Sequence, residues 1–132
     1  MEVTLTLSLP RDRQTVPLTR RVLDAALTLF SVSKDCRSDI ALAVGEACAN
    51  AVEHAATGAE YRVTVSIHED RCVIDVVDDG VGVDAVETPE VGPDDEAGRG
   101  LRIIRALADV VELRRGNPRG AALRIIKRLK RT

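Results

Sequence analysis

Polar and apolar residues alternate strictly at the start of the chain, where Val3-Thr4-Leu5-Thr6-Leu7-Ser8-Leu9 runs up to Pro10. A period of two marks a half-buried strand. The period then changes. From about Val16 to Phe30, Leu18, Val22, Ala25, Ala26 and Leu29 recur at helical spacing, with Thr15 as a cap and Pro17 in the first turn. A second helix is expected from about Asp35 to Ala56, ended by Gly58. Tyr61 to His68 and Cys72 to Val77 read as two strands joined by the turn Glu69-Asp70-Arg71. Residues 84–97 are acidic, hold Pro89, Gly92 and Pro93, show no period, and read as a mobile loop. A third helix is expected from near Gly98, carrying Leu101, Ile104 and Leu107. Two closing strands, about 109–115 and 120–128, flank the turn Gly116-Asn117-Pro118-Arg119-Gly120.

The resulting order is strand, helix, helix, strand, strand, loop, helix, strand, strand. Consecutive strands with short turns imply an antiparallel or mixed sheet, with the helices packed on one face. The expected fold is therefore an α+β two-layer sandwich. With 132 residues and neither repeat nor linker, one domain spanning 1–132 is expected.

Composition narrows the picture. At 45% apolar the chain can bury a sizeable core, but with one Phe, one Tyr and no Trp that core must be aliphatic. The same scarcity of aromatics argues against a stacking platform for single-stranded nucleic acid. No apolar run approaches the roughly 18 residues of a membrane helix, and no basic-then-apolar signal segment opens the chain. A cytoplasmic protein that does not engage the membrane is expected. Cys36, Cys48 and Cys72 form no CxxC or zinc spacing and read as buried thiols in a reducing compartment.

The net charge of −2 hides an asymmetry: residues 69–96 hold eleven acids against one arginine, and residues 97–132 hold eleven Lys or Arg against two acids. Arg124, Lys127, Arg128, Lys130 and Arg131 are expected mostly on outward positions of the last strand and its end, a solvated face. No nucleic-acid recognition motif accompanies them, so direct nucleic-acid binding is not expected.

The candidate chemistry starts on the second helix. At about 100° per residue, Ile40, Val44, Ala47, Ala51 and Ala55 share the face that meets the sheet. Glu46, Asn50 and His54, four apart, fall within an arc of about 80° beside it. No Lys or Arg occurs from Ser38 to Ala59, and Ala43, Gly45, Ala47 and Ala49 keep the flanks small. An acid, a carboxamide and an imidazole suit a hard cation and its waters, and the Asn oxygen suits Mg²⁺. By itself, an ordinary helix surface explains the same three residues.

Two glycine motifs change that. Asp78 closes a strand and is followed by Gly80 and Gly82, where the backbone is free to take positive φ and to lie against a ligand. A carboxylate there can accept a hydrogen bond from an exocyclic amine such as that of adenine. Gly98-Arg99-Gly100-Leu101 stands where a polar loop turns into an amphipathic helix, a place whose amides and dipole favour anions such as a triphosphate. It is not a Walker A loop, because no Gly-Lys-Ser/Thr follows. Nor is it a dinucleotide fingerprint, because no strand feeds into it.

Taken in order, Glu46-x-x-x-Asn50 resembles the N box of the GHKL ATPase superfamily, Asp78-x-Gly80-x-Gly82 its first glycine box, and Gly98-x-Gly100-Leu101 its second. The short chain, the helix from Ala43 to Ala55 and the closing Gly120-Ala121-Ala122-Leu123 strand resemble the anti-sigma factor serine kinases within it. The resemblance implies a Bergerat-type ATP-binding sandwich, an ATP–Mg²⁺ site, a homodimer, and two competing partners, a sigma factor and a STAS-domain anti-sigma antagonist. It implies that Asn50 coordinates Mg²⁺ and Asp78 binds the adenine amine. Gly80 and Gly82 would line the adenine pocket, Gly98, Arg99, Gly100 and Leu101 would cover the phosphates, and Glu46 would be the general base for a partner serine. A second reading stays open, in which the domain binds ATP and sequesters a partner without transferring phosphate. A hydrolysing ATPase is disfavoured, because those relatives rely on added domains.

Overall fold

A computed structural model describes residues 2–54, 60–78, 96–115 and 121–132. They form β1 (Val3–Pro10), α1 (Thr15–Leu29), α2 (Lys34–His54), β2 (Glu60–Ile67), β3 (Arg71–Asp78), α3 (Glu96–Leu107), β4 (Val110–Arg115) and β5 (Ala121–Arg128). The expected loop at 84–97 lies outside the described residues up to 95, as do Ala55, Gly58 and the turn 116–120. Among the described residues no helix is long and apolar enough to cross a membrane.

The five strands lie in the order β1-β2-β3-β5-β4, and every described pairing is antiparallel. Since β3 and β4 each pair antiparallel with β5, they point the same way, and α3 is the crossover between them. This places the start of α3 at the end of the sheet where β3 stops, at Asp78. β2 begins there too, because Tyr61 is paired with Asp78.

Alternation along the strands separates two faces. Tyr61, Val63, Val65 and Ile67 of β2, Cys72, Ile74 and Val76 of β3, and Leu123 and Ile125 of β5 are buried under the helices. The opposite face is polar over β1, with Thr4, Thr6 and Ser8 exposed. There Arg124 grips Asp75 across the β3–β5 pair, with Nε at 2.8 Å and Nη2 at 3.1 Å from the two carboxylate oxygens. That hydrogen bonding, with the charge of Asp75 and then Glu112, raises the Arg124 pKa.

Two expectations are corrected by packing. The apolar letters of α1 predicted a face of Leu18, Val22, Ala25, Ala26 and Leu29; Ala26 does pack on the core, but the residues buried are Thr15, Thr19, Leu23 and Leu27. Leu18 and Leu29 stay 49% and 86% exposed. The threonines are accepted because their hydroxyls are satisfied. Thr15 is not a cap but the first residue of the helix; its hydroxyl donates to the Asp12 carbonyl at 2.7 Å. Its oxygen is then left to accept from the Tyr61 hydroxyl at 2.6 Å, and Thr19 donates to the Thr15 carbonyl at 2.8 Å. Lys127 is the second correction. It shares the inward parity of Leu123 and Ile125, and its Nζ donates to the Leu107 carbonyl at 2.6 Å and lies 3.5 Å from Asp39. An inward lysine is tolerable here because the C-terminus of α3 offers free carbonyls and the negative end of the helix dipole.

The three cysteines are free and buried, as expected. Burial pushes the Cys48 thiol up to about 11 against the hydrogen bonds of Tyr61 and Thr19, the Tyr61 phenol up to about 12, and Cys72 up to about 12. Each of these groups becomes charged on losing its proton, so the unfolded chain ionises first. Their stabilisation is complete below the unfolded values of 9.0 for the thiols and 10.0 for the phenol, and is lost as pH rises towards the folded values. Each group in its window lowers stability by up to about 1.4 kcal/mol per pH unit. The urea midpoint should hold steady from pH 7 to 8.5 and fall steeply from about 9 to 11, less steeply in Cys48→Ala. A midpoint unchanged at pH 11 would show these groups to be hydrated in the folded state.

Candidate functional site

α2 runs between α1 and α3, and its sequence fits each neighbour differently. Cys36, Ile40, Ala43, Val44, Ala47, Cys48 and Ala51 are buried. On the α1 flank, a β-carbon placed on Gly45 would meet Arg20 Cδ at 3.2 Å, so the glycine leaves room for the arginine stem. On the α3 flank stand Glu46 and Asn50, both partly buried.

What they face is the backbone of Gly100. A β-carbon there would lie 3.2 Å from Glu46 Oε1, 3.3 Å from Asn50 Nδ2 and 3.5 Å from Asn50 Oδ1. Three residues expected in the site from two separate motifs thus meet at one point. The point is a cradle that one methyl group would fill, bounded by a carboxylate and a carboxamide. Oxygen donors of that kind, few in number, fit a magnesium ion that keeps most of its waters or shares phosphate oxygens. Among the described residues there is no cluster of three or more His, Cys, Asp and Glu that could hold a metal by itself.

Asp78 is the last residue of β3, in a row with Tyr61 on one side and Ala121 on the other, at the end of the sheet where α3 begins. His54 closes α2. Gly80 and Gly82 lie outside the described residues. Gly98, Arg99, Gly100 and Leu101 are all in α3, described from Glu96, two residues ahead of Gly98. Arg99 is exposed, while the Leu101 side chain packs against the core. The sequence offered no sign that Gly45 would accommodate Arg20. Nor did it show that Tyr61, Thr15, Thr19 and Cys48 would share a buried polar pocket on the α1 side of α2. Apart from Thr15 with Thr19, those contacts join residues well separated along the chain, beyond the reach of a periodic pattern.

A five-stranded antiparallel sheet under three helices, with an acid–amide pair on the central helix meeting a glycine at the start of the next, defines an ATPase-type nucleotide-binding sandwich. The family model described as Histidine kinase-like ATPase domain matches residues 9–127, and the chain belongs to that family. Among curated relatives, the serine-protein kinase RsbW of Halalkalibacterium halodurans is 31% identical over 139 residues, covering 97% of this chain and 85% of the relative. RsbW of Listeria innocua is 35% identical over 123 residues, covering 83% and 78%. Among solved structures, the RsbU and RsbW domains of Rv1364c from Mycobacterium tuberculosis match with a TM-score of 0.77 at 20% identity. That match covers 98% of this chain and 33% of the longer one, and it shows the fold.

Proposed function

We propose that this chain is an ATP-dependent protein serine kinase that doubles as an anti-sigma factor. It would hold a sigma factor and phosphorylate a serine of a STAS-domain antagonist. The observation that carries this reading is the convergence of Glu46 and Asn50 on Gly100, within a chain whose relatives are named serine-protein kinases.

Asn50 contributes an oxygen to Mg²⁺, and Asp78 accepts from the adenine amine. Gly80 and Gly82 let the backbone lie against the base, and the Gly98–Leu101 backbone faces the phosphates. Mg²⁺, when bound, neutralises charge that develops between the β- and γ-phosphates. Glu46 takes the proton of the incoming serine hydroxyl, whose oxygen bonds the γ-phosphorus as the bond to the departing ADP oxygen breaks. Such transfer depends mainly on positioning and electrostatics, which suits a site built from one acid, one amide and backbone. A homodimer belongs to the same reading. It is supported by an outward sheet face on which Val73 is paired with Ile126 and Ile126 with the half-exposed Val110.

The test is direct. Calorimetry should show ADP or ATP binding that requires Mg²⁺, and labelled ATP should pass its γ-phosphate to the serine of the cognate antagonist. No binding at millimolar nucleotide would remove the whole reading. Binding without transfer, with a sigma factor still held, would leave the sequestering module in its place.

A further inference from the structure

We propose that Leu42 and Ile103, an exposed apolar pair across the joint between α2 and α3, seat the protein that brings the acceptor serine. This rests on the kinase reading above and names the surface by which its substrate protein is chosen.

Two junctions fix how the helices lie. At one, the Gly100 backbone faces Glu46, whose Oε1 would stand 3.2 Å from an added β-carbon. At the other, Lys127 Nζ bonds the Leu107 carbonyl at 2.6 Å and lies 3.5 Å from Asp39. Later residues of α3 thus meet earlier residues of α2, so the two helices run antiparallel. Leu42 is three residues past Asp39 and four before Glu46, while Ile103 is three past Gly100 and four before Leu107. The pair therefore stands level, between the junctions and one helical turn from Glu46.

The joint is closed beneath them, since Ala43 and Ile104 are 2% and 0% exposed. Their chain neighbours Leu42 and Ile103 are 46% and 36% exposed. Scattered apolar residues on a surface are ordinary. Two at one level, beside the acid that receives a serine proton, form a small apolar seat at the place the serine must reach.

Charge decides what fits. The exposed side of α3 carries Arg99, Arg102 and Arg105, and no acid occurs from Arg99 to Leu107. On α2 the charge of Asp39 is answered by Lys127. The matching surface is apolar at its centre and acidic at its rim, with a large apolar side chain about one helical turn from the serine. Of the two competing partners, only the STAS-domain antagonist presents a serine to Glu46, so it is the occupant. Opposite charges speed its encounter, and burial of the apolar pair slows its release.

The experiment measures steady-state transfer to the antagonist that accepts labelled phosphate from the wild-type chain. Leu42→Gln with Ile103→Gln keeps helix-compatible side chains and removes the apolar seat. KM for the antagonist should rise by about 10-fold, the scale of two half-exposed side chains left unburied, with kcat nearly unchanged. Mg-ADP affinity by calorimetry should match wild type. Leu42→Met with Ile103→Val, which keeps the seat apolar, should retain the wild-type KM, and that KM should rise with added salt. An unchanged KM in the glutamine variant overturns the seat and leaves the kinase reading standing. A loss of Mg-ADP affinity that accounts for the lost transfer also overturns it, because the pair then acts on the nucleotide site. Weakened sigma-factor binding with an unchanged antagonist KM assigns the surface to the other partner and overturns it as well. A wild-type chain that binds Mg-ADP but phosphorylates no antagonist removes the kinase reading and the seat together.

Discussion

Replacing Glu46 by glutamine should leave Mg-ATP binding and partner binding near wild type while slowing phosphate transfer by about 10²–10⁴-fold, the usual scale of a general base. Glutamine has the same length and nearly the same shape, so the packing between α2 and the Gly100 backbone is kept. What is lost is the acceptor for the serine proton. Asn50→Ala should fail differently. It removes the proposed metal ligand, so Mg-ATP binding weakens and transfer falls with it. Single-turnover transfer measured beside calorimetry separates the two. Wild-type transfer by Glu46→Gln would strip Glu46 of its role, even if the chain proved to be a kinase.

The second large effect is expected at Asp78. Asp78→Asn removes the charge from the acceptor proposed for the adenine amine and sets an amide N–H₂ in reach of another N–H donor. A hydrogen bond to a charged group contributes about 1.5–3 kcal/mol, so ADP affinity should fall by roughly 10- to 100-fold. GTP, which carries an oxygen where adenine carries the amine, should lose far less. Calorimetry with both nucleotides tests this, and equal losses for ADP and GTP would mean that Asp78 acts on the fold rather than on the base. The β2–β3 register places Asp78 against Tyr61, so thermal unfolding of the variant should be measured alongside.

The elements were legible to within a few residues because their signals are local. Strict alternation put a strand at Val3–Leu9, and the strand observed is Val3–Pro10. The stripe Glu46–Asn50 was readable because four residues make nearly one helical turn, whatever surrounds them. The glycine pair before Leu101 marked a place where backbone meets something closely, and at Gly100 it does meet Glu46 and Asn50. The α1 face was misread for a reason equally physical. Hydrophobicity alone ranks Leu18 and Leu29 above Thr15 and Thr19, but burial also rewards a hydroxyl that has a partner. For Thr15 those partners, the Asp12 carbonyl and the Tyr61 hydroxyl, come from outside the helix, and for Thr19 the partner is the Thr15 carbonyl one turn back. Lys127 was placed outward by its charge and turned inward by parity with Leu123 and Ile125, because the carbonyl that receives it ends a helix twenty residues earlier.

By itself, then, the sequence determined the strands and helices, the two-layer class, the aliphatic core, and the residue types of a nucleotide site. Each of these follows from periodicity, side-chain chemistry or glycine spacing within one short segment. Only the tertiary structure decided that β5 lies between β3 and β4, and which stripe of α1 is buried. It alone decided that the Gly100 backbone of α3 rests against Glu46 and Asn50. A helix end is set by competition between a weak local preference and whatever the first turn can pack against. For Gly100 the local preference disfavours helix, and the surface of α2 at Glu46 and Asn50 is what its backbone meets.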